Sequence, residues 1–564
     1  MLFLKGDKSI RTLMLLWICF MLRGLFYSVL FPLWEGYDEY AHFAFIQHLV
    51  TAGTLPTAAT PISKEVEESL KLAPLPWTLR HLEPPHSTHD EYWRLSQDER
   101  RRRQEQLAAL PRDWACQPAA PNNLNLNWEA QQPPLYYWLL SFPLRLAWNV
   151  SLPGRVLLLR LLSLGLASLV IPLGYLVAKQ VFSSRNAALG TVALIAVMPE
   201  LLVNVCRVGN ESLAILLYSL LMVAAFRFVE NPERSGTFML LAVSLGLGLL
   251  TKAYFLTALP ALLAILACYF FFDPAKRSSI AFRGLSALAA ALSLSGWWYW
   301  RNRVLTGSWS GVMPDAALRD ISLWKLLGQV PRVDWKNALD SLLLSHMWFG
   351  NWSFLQVRSW ITHVFGYLIP PALLGLVLLF VFWRLNGNAQ FSFLASRMRL
   401  LVPVAFYGFF WLGLLYHILI TFAAQGISAS QGWYLYCLVV AEVLVMMTGL
   451  LALCPAVLRP WIIPAATIGF SLLDLYTVHF LLAPYYSGLI AHNPSGALAT
   501  FHVELLNGLD LWNYVGRLAV NKSLLNRAGF LFLWIGYLAA TVGLVAIGVR
   551  IGWLQAKSMA ATKT

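Results

Sequence analysis

The stretch PLWEGYDEYAHFAFIQHLVTAGTLP, residues 32–56, follows directly on about twenty apolar residues near 12–31. It sets Asp38 and Glu39 side by side where the chain leaves a hydrocarbon-crossing segment. Ionised groups there are costly unless they meet water, a partner or a substrate. The pattern predicts an amphipathic helix ending near Gly53. Asp38 is placed to cap it, and Glu39 is spaced to meet His42 one turn on. Two acids at the mouth of a membrane-embedded chain point to chemistry at the boundary between lipid and water.

Composition agrees with that setting. Hydrophobic residues make up 58% of 564 and charged residues 12%, which excludes an ordinary soluble domain. Apolar runs long enough for roughly 30 Å of hydrocarbon fall near 10–31, 156–181, 187–205, 211–229, 236–251, 254–272, 281–300, 363–384, 400–422, 431–455, 460–483 and 527–550. The expected fold is therefore all-α, a polytopic membrane protein of about twelve transmembrane helices. The first span has no small-residue cleavage pattern and reads as a retained anchor.

Lys and Arg gather in alternate short loops, such as Lys179 with Arg185 and Lys276 with Arg277 and Arg283, whereas the opposite turns hold only Arg207 and Lys252. By the positive-inside rule both termini are cytoplasmic. The segments 32–155, 301–362 and 484–526 then lie outside, between a first helix 1–31, a helical core 156–300 and a C-terminal set 363–564. Residues 32–133 hold 14 of the 28 acidic residues against 9 Lys or Arg, a net −5, so the rest of a chain of net charge +14 carries +19. The anionic inner leaflet accounts for that excess, and no nucleic-acid partner is implied. The six cysteines, with Cys116 alone in the outer loop, form no CxxC and no disulfide framework.

Within the first outer segment, 62–72 and 90–109 predict short polar helices. The run Arg100–Arg103 reads as a solvated face balanced by Asp98, Glu99 and Glu105. Residues 111–128 read as irregular loop. QQPPLYYWLLSFPLRLAW, 131–148, is too short and too Pro-interrupted to span, and its Tyr and Trp residues predict a juxtamembrane helix on the outer surface.

The order of these motifs resembles the GT-C superfamily of membrane glycosyltransferases, among them the aminoarabinose transferases, the protein O-mannosyltransferases and bacterial membrane proteins of the same build. DEYAHFAFIQHLVTAGTLP resembles its acidic first-loop motif, QQPPLYYWLL its juxtamembrane motif, and RLLSLGLASLVIPLGYLVAKQVFSSR its next span. RVGNESLAILL, 207–217, and GLGLLTKAYFLTALPALL, 246–263, resemble two later outer turns, and GWWYWRN, 296–302, is a looser match. The resemblance covers roughly 32–302. It implies transfer of a sugar from a polyprenyl-phosphate donor to a lipid, glycan or protein acceptor at the outer face of a bacterial inner membrane, with inversion.

Such a reaction needs a carboxylate to take the acceptor's proton and positive charge to receive the departing phosphate. Asp38 is the expected base and Glu39 its catalytic neighbour. Glu211, Arg207, Lys252, His42, Gln132, Tyr136 and Arg301 are the expected substrate-binding residues. Gln132 stands where aminoarabinose transferases carry a lysine, and Trp433 where some bacterial relatives carry an arginine. No metal ligand set is expected from His42, His346, His417 or His492. Some superfamily members use a divalent cation at the acidic motif and others do not. Gln425, Gln431, Trp433 and Tyr434 are read as late substrate contacts, and Trp297, Trp298 and Trp300 as an interfacial belt. The rival readings are a transporter of lipid-linked glycans, which would want polar residues inside spans and repeat symmetry, an enzyme like the O-antigen polymerases, and a non-catalytic scaffold of the same build.

Overall fold

The structure is a computed structural model that describes residues 8–115, 126–318, 321–382, 393–394, 397–520 and 525–561. Cys116 and the middle of the 111–128 loop lie outside the described residues. Ten helices are long and apolar enough to cross a membrane: Lys8–Leu30, Leu152–Val181, Glu211–Glu230, Ala253–Phe272, Pro274–Thr306, Ser359–Val381, Met398–Gln425, Gly432–Leu453, Arg459–Tyr486 and Arg527–Met559. A further pair, Arg185–Val197 and Pro199–Val205, is bent by 61°, and the apolar helix Ser235–Leu249 is shorter than the others. Each of the twelve expected segments thus has a helical counterpart, two of them irregular. The chain is a multi-pass membrane protein. Strand is confined to two minimal ladders, Pro74–Leu75 with Ser87–Thr88 and Phe349–Gly350 with Leu355–Gln356, among the described residues.

The bend has a local cause. Pro199 opens the second half of the pair, so the preceding turn loses its backbone donor and carbonyls are freed. The Arg23 guanidinium supplies the missing donors, to Ala196 O and, at 3.0 Å, to Val197 O. Arg23 is neutralised by Asp474 at 2.9 Å, which also accepts from the Tyr27 hydroxyl at 2.6 Å. Arg23, Tyr27 and Asp474 are all fully buried. A charge inside apolar helices persists only when paired and hydrogen-bonded in this way.

Elsewhere the helices meet through small residues. A Cβ added at Gly375 would stand 1.9 Å from the Gly449 carbonyl oxygen, and one added at Gly449 would stand 1.9 Å from that of Ala372. Helices Ile369–Val381 and Val439–Leu453 therefore touch backbone to backbone.

The described part of residues 32–155 folds onto the helix ends as a polar layer. Helix Glu39–Ala52 leads it, followed by Lys64–Leu72, Gln97–Ala108 and the juxtamembrane helix Leu135–Leu146. Glu65, buried on the second of these, pairs with Arg155 at the start of the Leu152 span and accepts from Gln47 Nε2 at 2.9 Å. On the third, Arg101 and Arg102 pair with Asp98 and Glu99 at 2.9 and 2.7 Å, as a solvated face requires. The segment around His492 docks on this layer, through His492 and Asp90 at 2.9 Å.

Candidate functional site

Five of the matched motifs converge on one short turn, residues 206–210. Arg207 Nη1 donates to Tyr37 O at 2.6 Å, and the Val208 N–H donates to Glu39 Oε1 at 3.0 Å. The Gly209 N–H donates to the Tyr136 hydroxyl at 2.9 Å, and that hydroxyl shares a 2.7 Å hydrogen bond with Ser163 Oγ. Asn210 Nδ2 donates to Gln132 Oε1 at 3.0 Å and to Thr251 O at 3.2 Å. An irregular turn buried beside apolar spans needs partners for its backbone groups, and here the Val208 and Gly209 N–H groups find them on distant segments.

Over this turn opens a cavity of about 740 Å³, within the range of small-ligand pockets. Its lining includes the polar residues Asp38, His42, Glu129, Gln132, Arg207, Glu211 and Lys252, and also Trp309, Phe410, Leu414, Tyr416 and Ile420. Aromatic rings form part of its wall. Tyr37 stacks on Trp433 at 4.1 Å between centroids, and Trp352, Phe354 and Tyr434 complete that wall.

Asp38 and Glu39 have opposite surroundings. Asp38 sits in the left-handed region, φ 53°, and its side chain makes no cap hydrogen bond to the helix it precedes. Asp tolerates this conformation better than most residues. Its Oδ1 accepts instead from Trp128 Nε1 at 3.1 Å, and the carboxylate lines the cavity. Burial raises its pKa above the ordinary carboxylate value, while Arg207 and the Trp128 hydrogen bond pull the other way. Glu39 is fully buried and is gripped by Arg160, with Nε to Oε1 at 2.7 Å and Nη2 to Oε2 at 2.6 Å. The same guanidinium donates to the Phe31 and Pro32 carbonyls, just past the end of the first span. Glu39 is not a cavity residue and does not pair with His42.

Arg207 and Lys252 both reach Glu211, Arg207 at 2.9 Å and Lys252 in direct contact. All three face the cavity, so the acid aligns the two cations at its wall. His42 shares a 2.8 Å hydrogen bond with the Tyr137 hydroxyl, and burial drops its pKa to about 3. It is a neutral polar group at physiological pH.

Two of the expected contacts lie elsewhere. Tyr136 is fully buried and braces the turn, away from the cavity surface. Arg301 donates to Pro56 O at 3.0 Å and lies over the Trp298 ring. Of the late residues, Gln431, Trp433 and Tyr434 line the cavity and Gln425 does not. Trp298 is buried whereas Trp297 and Trp300 are exposed.

Glu129 and Trp128 escape the sequence reading. They lie on the 3₁₀ turn Trp128–Gln131, capped by Asn127 Oδ1, which accepts from the Glu129 N–H at 3.2 Å. Burial, reinforced by the nearby Asp38 charge, pushes the Glu129 carboxyl up to about 8.

No group of three or more His, Cys, Asp or Glu side chains is gathered as metal ligands among the described residues. His346 is taken up by Glu442 at 2.6 Å and His492 by Asp90, and Glu211 is committed to its two cations. These donors do not fit a cation held by protein ligands alone.

Residues 131–300, a little under a third of the chain, match the sequence model of the family described as dolichyl-phosphate-mannose-protein mannosyltransferase. Gln132, Arg207, Glu211 and Lys252 fall inside the matched region. The backbone is similar to that of ArnT from Cupriavidus metallidurans, solved bound to undecaprenyl phosphate. The TM-score is 0.43 at 12% identity, covering 96% of this chain and 76% of that one. No curated protein matches the sequence.

Proposed function

We propose that this protein is a membrane glycosyltransferase that moves a sugar from a polyprenyl-phosphate donor to an acceptor hydroxyl. The observation that carries the proposal is one cavity lined by both the Asp38 carboxylate and the Arg207–Lys252 pair. The matched mannosyltransferase family, whose name specifies a dolichyl-phosphate sugar, supports the donor class.

The acceptor oxygen attacks the anomeric carbon and its proton passes to Asp38. The bond from that carbon to the phosphate oxygen breaks, and its electron pair stays on the phosphate. The charge that develops there falls beside Arg207 and Lys252, which Glu211 has already oriented. A phosphate is a good leaving group, so no strong acid is required. One displacement at one carbon inverts its configuration. The apolar wall around Phe410, Leu414 and Ile420 suits the isoprenoid chain.

The Lys and Arg asymmetry supports cytoplasmic termini and a cavity open to the extracytoplasmic side of the inner membrane. The test is sugar transfer by purified protein from several polyprenyl-phosphate sugars, wild type against Asp38→Asn. Transfer by the wild type that Asp38→Asn abolishes supports the reading, and equal transfer by both removes Asp38 as base.

A further inference from the structure

We propose that Glu129 is a further donor-binding residue, which presents its carboxylic O–H to a phosphate oxygen of the lipid-linked sugar. The inference rests on the donor class proposed above and adds a contact to it. Glu129 is only 6% exposed yet lines the cavity. Its Oε2 has no hydrogen-bond partner among the described residues, and the nearest cationic candidate, His42 Nδ1, stands 3.8 Å away. A buried polar atom left without a partner beside an open cavity is a contact awaiting a ligand.

The residue is held there deliberately by its neighbours. Asn127 caps its turn, the Asn127 N–H donates to Thr60 O at 2.9 Å, and Trp128 is tied to Asp38. The charged and titratable groups facing it are Asp38, Glu211, Arg207 and Lys252, with neutral His42 and Tyr137 behind. Glu129 therefore shares one cavity with the proposed base and the cations proposed to receive the phosphate.

An ionised carboxylate in that position would repel a phosphate, whereas a protonated one donates to it. Burial and the Asp38 charge keep the proton on Glu129 through neutral pH, since its pKa stands near 8. Gln132, on the same cavity lining, accepts from Asn210 through its amide oxygen and keeps its amide N–H groups as neutral donors. A protonated Glu129 thus gives the phosphate a third contact without adding a charge that Asp38 would have to oppose.

The test is direct binding of undecaprenyl phosphate to the purified full-length protein in detergent, at pH 7 and pH 9, for wild type and Glu129→Gln. Wild-type affinity is expected to fall about tenfold over that interval, and Glu129→Gln, a permanent donor, to change by less than about twofold. An equal fall in both, or no fall in the wild type, overturns the proposal. A protonated-carboxyl infrared band present in the wild type at pH 7, lost at pH 9 and missing from Glu129→Gln supports it independently, and its absence from the wild type overturns it. No binding by the wild type at any pH defeats the donor class itself. Binding with the same pH response in both proteins defeats only the role of Glu129.

Discussion

Arg160 holds Glu39 through two parallel hydrogen bonds of 2.7 and 2.6 Å, and the residue before it, Asp38, is left as the acid of the pair that reaches the cavity. A bidentate guanidinium–carboxylate contact fixes both position and direction. The clasp ties helix Glu39–Ala52 to the Leu152–Val181 span and to the end of the first span at once. Removing one partner strands a buried charge, so Glu39→Ala is expected to destabilise the fold by about 3–5 kcal/mol. Thermal unfolding in detergent measures this, and Glu39→Ala combined with Arg160→Met should recover part of the loss.

For Asp38 the expected outcome is kinetic. Asp38→Asn keeps the shape and the Trp128 hydrogen bond, so donor binding should stay within a few fold while turnover drops by about 10²–10⁴, the usual worth of a general base. The wild-type rate should also fall in acid. A carboxyl with a raised pKa loses its basic form at a higher pH than an ordinary aspartate would. Steady-state kinetics across pH check both points.

Lys252→Ala and Arg207→Ala each remove a proposed charge-assisted contact to phosphate, with an expected cost of about 1.5–3 kcal/mol, or roughly ten- to hundredfold in donor affinity. The side chain left behind still pairs with Glu211, so the fold should survive. Undecaprenyl phosphate titration reads the loss, and unchanged affinity in both variants would remove the cation assignment.

Glu129 couples the site to stability. Its folded pKa near 8 lies above the ordinary glutamate value, so the folded state binds a proton that the unfolded chain has released. Any stabilising effect of that proton is complete in acid and is lost as pH rises toward 8, at about 1.4 kcal/mol per pH unit. Glu129→Gln should flatten this slope, leaving the variant the more stable protein at pH 8. Unfolding midpoints at pH 5, 6.5 and 8 provide the comparison.

The glycine contact makes a prediction remote from the cavity. Gly449→Ala places a methyl group 1.9 Å from a backbone oxygen, which no rotamer change relieves. A loss of about 1–3 kcal/mol or more is expected from forced separation of the two helices. A lowered unfolding temperature with donor affinity preserved in the folded fraction would fit.

Hydropathy located the helices because length and apolarity are nearly all that a membrane span requires. It also flanked Arg207, Glu211 and Lys252 with spans, and cations in short turns between spans converge by geometry. Asp38 and Glu39 could not be separated this way, since adjacency in sequence hides a left-handed backbone that turns one outward and the next inward. Gln132 and Tyr136 stand four residues apart in one motif, yet Gln132 lines the cavity while Tyr136, buried on the helix Leu135–Leu146, braces the turn. Glu129 was missed because it follows a Pro- and Asn-rich stretch read only as loop. Arg160 and Arg23 did carry a signal, as arginines inside apolar runs that need a partner.

The buried contact of Arg23 with Asp474 has a consequence for biosynthesis. In the order of translation, 447 residues separate Tyr27 from Asp474, the acid their shared network depends on. The first span therefore enters the bilayer with its guanidinium lacking a counter-charge that is made more than four hundred residues later. Ribosome-bound chains stopped before residue 474 should hold that span more loosely than chains that include it.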